Sequence, residues 1–275
     1  MFFSAPVSFD AALDAARARS LLPTTGTSAQ LRLLESAIKR RALFSATVDL
    51  AEPLQKLDDG IAAILRGETD QATARLAMKQ LWQSLGYEPD PAHEGGLRDL
   101  ASADRINLQL ETNVDSARGY GYYAASMDAT VLDEWPAQEL FRATNPRGAQ
   151  RDWPARWAQA GGEFYGGRMI ALKTDPIWDS LGDPDLFPDG LGNPYPPFAF
   201  NSGMDVRGVS RDEAVALGLI DADTQLKPAP VDDFNADLKA SPGVRSANLR
   251  EAVESSGLGA FDRDGVFHFK PEGGA

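Results

Sequence analysis

The sequence predicts an α+β fold, in which a helical N-terminal bundle is followed by a small mixed α/β domain with long loops. Apolar residues recur at helical spacing through the first third of the chain. Short apolar runs typical of strands occur only after residue 137, and residues 175–203, rich in proline, glycine and aromatic residues, interrupt them. We therefore expect a helical unit over residues 1–95, an α+β domain over 96–225 and an acidic C-terminal extension over 226–275.

Three amphipathic helices are predicted in the first part. The earliest begins at Ser28, a residue type favoured at N-caps. Its apolar stripe consists of Leu31, Leu34, Ile38 and Ala42. Short connections between the three helices favour a small bundle, and such stripes are more typical of a core than of a partner-binding groove.

The other two helices have recognisable start and stop residues. Apolar residues recur from Leu50 to Leu65, with Pro53 in the first turn, where its missing N–H costs little. Gly67 is placed to close this helix. The next helix is predicted to begin at Thr69 and to end at Gly86.

The second part combines helices with short strands. A helix is predicted over Arg105–Tyr123, where apolar residues recur every three or four positions. Residues 138–144 and 168–173 read as strands. Between them, residues 151–157 form a short helical turn that Asp152 begins.

Two further elements follow the second strand. Ser210 and Glu213 form a capping box that opens a short helix ending near Leu217. Near the end of the chain, a helix over residues 246–255 and a hairpin around residues 263–265 are predicted.

Residues 175–203 contain too many prolines and glycines for a regular element. We expect an ordered loop, because leaving the large aromatic side chains of a disordered segment in water would be costly. These side chains are Trp178, Phe187, Tyr195, Phe198 and Phe200.

The composition excludes several kinds of chemistry. The chain has no cysteine, which excludes disulfides and a thiol nucleophile, and its two histidines are His93 and His268. A formal net charge of −13 makes direct binding to DNA unexpected. No apolar run approaches the ~20 residues that a membrane span needs.

The remaining acidic candidates have simpler interpretations. Glu134 and Glu139 could do acid–base chemistry, but nothing places them on facing walls of a cleft. Five aspartates of the long loop offer oxygen ligands for a hard cation, yet their spacing does not fit an EF-hand, and a solvated acidic loop is favoured. These aspartates are Asp175, Asp179, Asp183, Asp185 and Asp189.

Two other motifs also favour structural roles. Residues 119–123, Gly-Tyr-Gly-Tyr-Tyr, lack the preceding strand and following lysine of a phosphate loop, so packing of small residues between aromatic rings is favoured. Arg151, Arg156 and Arg168, with neighbouring tryptophans, could form a patch for single-stranded nucleic acid. Internal ion pairs and cation–π contacts are the favoured alternative.

The order of motifs over residues 105–217 carries a family resemblance. Seven segments contribute to it, in chain order: Leu110–Ala117, Glu139–Arg142, Arg151–Trp153, Gly167–Ala171, Asp175–Asp179, Tyr195–Asn201 and Ser210–Glu213. Together they resemble the Mu-type phage head morphogenesis (minor head protein) family.

The resemblance implies a structural component of a phage or prophage head. Such a protein docks at the portal or the inner capsid, so the implied partners are the portal protein, the major capsid protein or a scaffolding protein. The implied location is the virion head, and the host cytoplasm during assembly. We expect no enzymatic activity, no cofactor and no bound metal.

The chain departs from the family pattern at four places. Glu111 stands where members often have arginine, and Arg156 or a neighbour stands where many have a histidine after the first strand. Asn201–Met204 stands where many have a cysteine cluster, and Leu181–Asn193 is an insertion. No metal site is therefore carried over, and aromatic packing is expected to hold the loop. The residues assigned to this structural and interaction role are Trp153, Trp157, Trp178, Tyr195, Pro196, Pro197, Phe198, Phe200 and Asn201.

Two other classes of function stay open at this stage. One is an enzyme, either a carboxylate-dependent hydrolase or a toxin-like transferase, which would need a pocket of carboxyl groups with shifted pKa values. The other is a nucleic-acid-binding module, which would need Arg151, Arg156 and Arg168 on one exposed face.

Overall fold

The computed structural model describes residues 10–17, 19–32, 42–145, 151–199, 201–229, 239–240, 250–251, 254–255, 257, 259–263 and 267–269. Its elements confirm the predicted α+β class. They are, in chain order, α1 (Asp10–Arg17), β1 (Ser20–Leu21), α2 (Ser28–Arg32), β2 (Ala42–Leu43), α3 (Ala51–Leu65), α4 (Gln71–Ser84), α5 (Ala103–Ser126), α6 (Ala129–Glu134), β3 (Ala137–Arg142), α7 (Trp153–Gln159), β4 (Phe164–Tyr165), β5 (Arg168–Leu172), α8 (Ile177–Gly182), β6 (Met204–Val209), α9 (Arg211–Ala216), β7 (Lys239–Ala240), β8 (Gly259–Phe261) and β9 (Phe267–Phe269).

The chain divides into two compact units. The first comprises Met1–Ala117 together with Asp232–Ala275, and the second comprises Arg118–Val231. The division lies within the long helix α5, and the sequence-based boundary at residue 95 lies within the first unit.

Helices α3 and α4 confirm two of the predicted amphipathic helices. Pro53 lies in the first turn of α3, as its missing N–H allows. The cap of α4 is Asp70 rather than Thr69, because the Asp70 carboxylate accepts the backbone N–H of Thr73 at 2.7 Å. Gly67 and Gly86, which follow these helices, both have positive φ, as helix-ending glycines do.

The helix predicted to begin at Ser28 differs from the structure at its start and at its end. Thr27 rather than Ser28 supplies the capping box, since the side chains of Thr27 and Gln30 each accept the other residue's backbone N–H. Ala42 belongs to β2, which pairs in parallel with β1, so it is not part of a helical stripe. Residues 33–41, which would carry the middle of that stripe, lie outside the described part of the chain.

Apolar faces of α1, α3, α4 and α5 form the core of the first unit. The predicted stripe of α5 is buried throughout and packs with α3 and α4. The α5 contributors are Ile106, Leu110, Val114 and Ala117.

A buried arginine orders the polar stretch that precedes α5. Arg105 donates hydrogen bonds to the Ser45 hydroxyl at 2.8 Å and to the carbonyl oxygen of Leu97 at 3.3 Å, and it also bonds to the carbonyl of Ala46. Burial lowers the pKa of Arg105 from its ordinary value. The Ser102 hydroxyl caps α5 by accepting the Arg105 N–H. The stretch before α5 is therefore held by specific hydrogen bonds.

The predicted C-terminal hairpin is confirmed in its strands. β8 and β9 pair antiparallel, and β7 adds to the other side of β9. Residues 264–266 at the hairpin connection lie outside the described residues, as does most of the predicted helix over 246–255.

A four-stranded antiparallel sheet organises the second unit, in the order β4-β5-β3-β6. One face, with Leu140, Ala171 and Val206, packs against α7, α8 and Phe198. The opposite face, with Ile170 and side chains of β3 and β6, packs against α9 and the residues that follow it. The predicted strands are β3 and β5, whereas β4 and β6 were not predicted.

Among the helices that the structure describes, none is both long and apolar enough to span a membrane.

We expect Leu110→Ala to lower the free energy of unfolding of the first unit by about 2–5 kcal/mol, because it leaves a cavity between α3 and α5. The matched control is Leu76→Ala on α4, where the side chain is 55% exposed, and it should change stability by less than about 0.5 kcal/mol. Urea unfolding followed by circular dichroism measures both. Equal effects would contradict the core assignment.

Candidate functional site

Helix α7 brings two tryptophans into the core of the second unit. Asp152 caps the helix by accepting the Ala155 N–H at 3.0 Å, and a proline lies in the first turn, as predicted. Trp153 and Trp157 are almost completely buried. The Trp157 indole N–H donates to the Glu163 carbonyl at 2.8 Å, whereas the Trp153 indole N–H is buried without a partner among the described residues.

The long loop is attached to this core through aromatic rings. Trp157 and Trp178 meet edge to face with ring centroids 5.5 Å apart, and Trp178 stacks on Phe198 at 6.1 Å. The Trp178 indole N–H donates to the Leu172 carbonyl of β5 at 2.7 Å. The prediction of an ordered loop held by aromatic burial is therefore confirmed for Trp178, Phe187, Tyr195 and Phe198, all of which are buried.

The expectation that this segment contains no regular element was wrong for Ile177–Gly182, which is helix α8. The Asp175 carboxylate accepts the Ile177 N–H at 2.9 Å and so begins the helix. Burial of Ile177, Trp178 and Leu181 against the sheet stabilises a turn that composition alone does not favour.

After α8 the chain folds back on itself at close range. The Gly192 N–H donates to the Gly182 carbonyl at 2.7 Å, and the Leu191 N–H donates to the Phe198 carbonyl at 3.0 Å. A Cβ on Gly182 would lie 2.1 Å from the Asn193 carbonyl oxygen, so only glycine fits there. The irregular path is therefore built from backbone contacts as well as rings.

Tyr195 and Pro196 pack on the C-terminal half of α5 within the second unit. The Tyr195 ring lies 5.8 Å from the Tyr120 ring and 5.6 Å from the Tyr123 ring. A Cβ on Gly119 would lie 1.7 Å from the Pro196 carbonyl oxygen. The packing interpretation of the Gly-Tyr-Gly-Tyr-Tyr motif is thus confirmed.

The remaining assigned loop residues have different surroundings. The Pro197 carbonyl, which follows a cis peptide bond after Pro196, accepts the Asn193 amide at 3.2 Å. Asn201 is exposed with φ of 50°, and its carbonyl accepts Arg151 Nη1 at 3.1 Å. Phe200 lies outside the described residues.

Arg151 and Arg156 converge on Asp189 inside the loop. Arg156, itself buried, contacts Asp189 at 2.7 Å, stacks on the Phe187 ring at 4.0 Å and donates to the Leu181 carbonyl. Arg151 bonds to the other carboxylate oxygen. Burial raises the pKa of Asp189, but hydrogen bonds from the two arginines outweigh it and lower the pKa overall.

A second ion-pair network lies on the opposite face of the sheet. Arg168 bridges Glu139 and Glu213, and Arg207 contacts Glu139 at 2.7 Å. Burial raises the pKa of Glu139, but hydrogen bonds from Arg168 and Arg207 outweigh this effect and lower the pKa overall. The predicted ion pairs are thus confirmed for Arg151, Arg156 and Arg168, and the predicted cation–π contacts are confirmed for Arg156.

The other acidic side chains do not converge on one point. Asp183 accepts the backbone N–H of Asp185, and Asp175 accepts the backbone N–H of Ile177, so at least two of the five loop aspartates bond to the backbone. The described residues contain no group of three or more acidic or histidine side chains placed to hold a metal ion.

Sequence reasoning missed Lys173, which follows β5. Its side chain is 4% exposed, and burial lowers its pKa to about 8. No described residue forms an ion pair with it. The sequence carries no signal for this environment, because the lysine simply ends an apolar strand.

The site therefore defines a class of structure: an α+β domain in which aromatic and arginine side chains hold a long irregular segment on one face of a small sheet. No family model matches the chain, and comparisons with curated proteins and with solved structures found no match either.

We expect Gly119→Ala to destabilise the second unit by about 1–3 kcal/mol, because the new Cβ would collide with the Pro196 carbonyl. The matched control is Gly60→Ala, inside α3, where the new Cβ would meet its nearest atoms at 3.5 and 3.6 Å. The control should gain about 0.5–1 kcal/mol from helix propensity. Thermal unfolding of both variants is the measurement, and a neutral Gly119→Ala would refute the close approach.

We expect Asp189→Asn to cost about 1–3 kcal/mol at pH 7, because buried Arg156 loses its counterion. A carboxyl whose pKa is lower in the folded chain stabilises above its unfolded pKa of about 3.9, and this contribution disappears as the pH falls through the folded pKa. The difference from wild type should therefore shrink below about pH 4. Urea unfolding at pH 7 and below about pH 4 tests this. The control is Asp185→Asn, at an exposed position, which should differ little from wild type at both pH values.

Proposed function

We propose that this protein is a minor head protein of a phage or prophage, an assembly component that docks on another head protein. The observation that carries the proposal is the rigid attachment of the loop over residues 175–199. Motifs of the family resemblance converge there, since Trp153, Trp178, Tyr195 and Phe198 are all buried around it. A segment held in one conformation binds a partner without the entropic cost of ordering it.

The state of the carboxyl groups favours binding over catalysis. Asp189 and Glu139 are each held by two arginines, and both have lowered pKa values, which suits permanent anions rather than proton donors. Asp175 and Asp183 accept backbone N–H groups. These arrangements give no support to the competing hypothesis of a carboxylate-dependent hydrolase or toxin-like transferase.

The exposed part of the loop supplies a candidate contact. Leu186 is 37% exposed and lies between the exposed Asp185 and the buried Phe187. The ring of the adjoining Phe187 packs against the Arg156 guanidinium. An apolar side chain beside carboxylates, on a chain of net charge −13, suits a partner surface that is apolar at its centre and basic at its rim.

The proposed partners are the portal protein, the major capsid protein or a scaffolding protein. The proposed location is the virion head, and the host cytoplasm while the head is assembled. Both rest on the family resemblance of residues 105–217, and the acidic balance of the chain is compatible with a basic protein partner.

We expect the full chain to co-purify with the cognate portal, capsid or scaffolding protein at low salt, and less well as ionic strength rises. Leu186→Ser should weaken capture about tenfold or more, because it removes an apolar contact without touching the core. Phe164→Ser is the matched control, since Phe164 is also exposed but lies on β4, outside the loop. No capture of any of the three proteins at low salt would refute the proposal, and equal loss in both variants would refute the role of the loop.

A further inference from the structure

Strand β6 lies at one end of the four-stranded sheet. The strand order places β6 at the end of the sheet, where it pairs only with β3 among the strands that the structure describes. An open edge of six residues exposes backbone donors and acceptors that can pair with another strand.

The hydrogen-bond alternation identifies which residues face this edge. The Ala143 N–H donates to the Gly203 carbonyl, and the antiparallel register then makes Asp205 and Arg207 the residues that bond to β3. Met204, Val206 and Gly208 therefore direct their backbone groups away from β3. Consistent with this, the Val206 N–H donates to the neighbouring Asp205 carboxylate at 2.8 Å, and the Met204 N–H donates to the Ser202 hydroxyl at 3.3 Å.

The side chains on the strand select one pairing register with a second copy. If two β6 strands pair antiparallel about a two-fold axis at Val206, Asp205 of each copy lies opposite Arg207 of the other. A shift of two residues in one direction would place Asp205 opposite Asp205 of the second copy. A shift of two residues in the other direction would place Arg207 opposite Arg207 of the second copy. Like charges directly opposite are destabilising, so the register centred on Val206 is favoured over both of these shifts.

The side chains of Asp205 and Arg207 are both able to form this ion pair. Arg207 is 58% exposed and uses Nε and Nη2 on Glu139, which leaves Nη1 for a further carboxylate. Asp205 is exposed, and its carboxylate occupies the Val206 N–H that a pairing strand would take over. Formation of the pair would release that carboxylate toward the arginine of the other copy.

We propose that β6 is a self-association edge, through which two copies of this chain form an antiparallel β6–β6 dimer centred on Val206, with reciprocal Asp205–Arg207 contacts. The two four-stranded sheets then form one continuous sheet across the two-fold axis. This inference does not depend on the proposed docking in a phage head, because it concerns the isolated chain.

Analytical ultracentrifugation of the purified full chain, from micromolar to millimolar concentration, tests the proposal. Wild type should reach twice the monomer mass. Asp205→Arg should weaken association at least about tenfold, since both cross-strand pairs become repulsive. Asp205→Asn removes the charge without adding repulsion and should weaken association less than Asp205→Arg does; Arg207 is left unchanged because it also pairs with Glu139.

Backbone pairing is tested separately. Val206→Pro removes an N–H that is not used by β3 and should abolish the dimer, whereas the matched control Val206→Ala keeps the N–H and should retain it. Circular dichroism checks that each variant is folded. Should a variant fail to fold, hydrogen exchange on wild type replaces it, and the amides of Met204, Val206 and Gly208 should become protected as concentration rises.

Two results would overturn the proposal. They are a wild-type chain that stays monomeric over the whole range, and a dimer that folded Val206→Pro and Asp205→Arg leave unchanged. Capture of a head protein by a monomeric wild-type chain would leave the proposed function intact and still refute this inference.

Discussion

The contacts of the Trp178 ring with Trp157 and with Phe198 are the interactions on which the second unit depends. The segment after α8 has few regular hydrogen bonds, so ordering it costs conformational entropy that only burial can offset. Each large aromatic side chain taken out of water contributes about 1.5–3 kcal/mol. Because the three rings join α7, α8 and the returning loop, their loss would release the whole segment from the sheet.

Arginine side chains also help to hold the long loop on the second unit. A chain with 40 acidic and 27 basic residues has carboxylates in excess, yet two of the buried cations among its described residues, Arg105 and Arg156, hold loops. Arg156 joins a carboxylate, an aromatic ring and a backbone carbonyl, and a planar guanidinium can serve all three at once.

Local sequence signals predicted most of the regular elements. Helices α3, α4 and α7 follow from apolar spacing together with the residues at their starts, and strands β3 and β5 follow from apolar runs. Strand β4 was missed because it has only two residues. Strand β6 alternates apolar and charged residues over Met204–Arg207, which is a strand signal that the prediction overlooked. Helix α8 was missed because burial, and not composition, stabilises it.

The sequence alone determined which residues had to be buried, because large aromatic side chains in a proline-rich segment have nowhere else to go. It also determined where α7 and α9 begin, since the capping side chains of Asp152 and Ser210 act within three residues of their own positions. Only the tertiary structure decided which partners those residues meet: that Arg156 pairs with Asp189, that Lys173 is left without a counterion among the described residues, and that Val206 faces an open edge. Such pairings join positions distant in the chain, and their energies depend on burial and register, which no local pattern encodes.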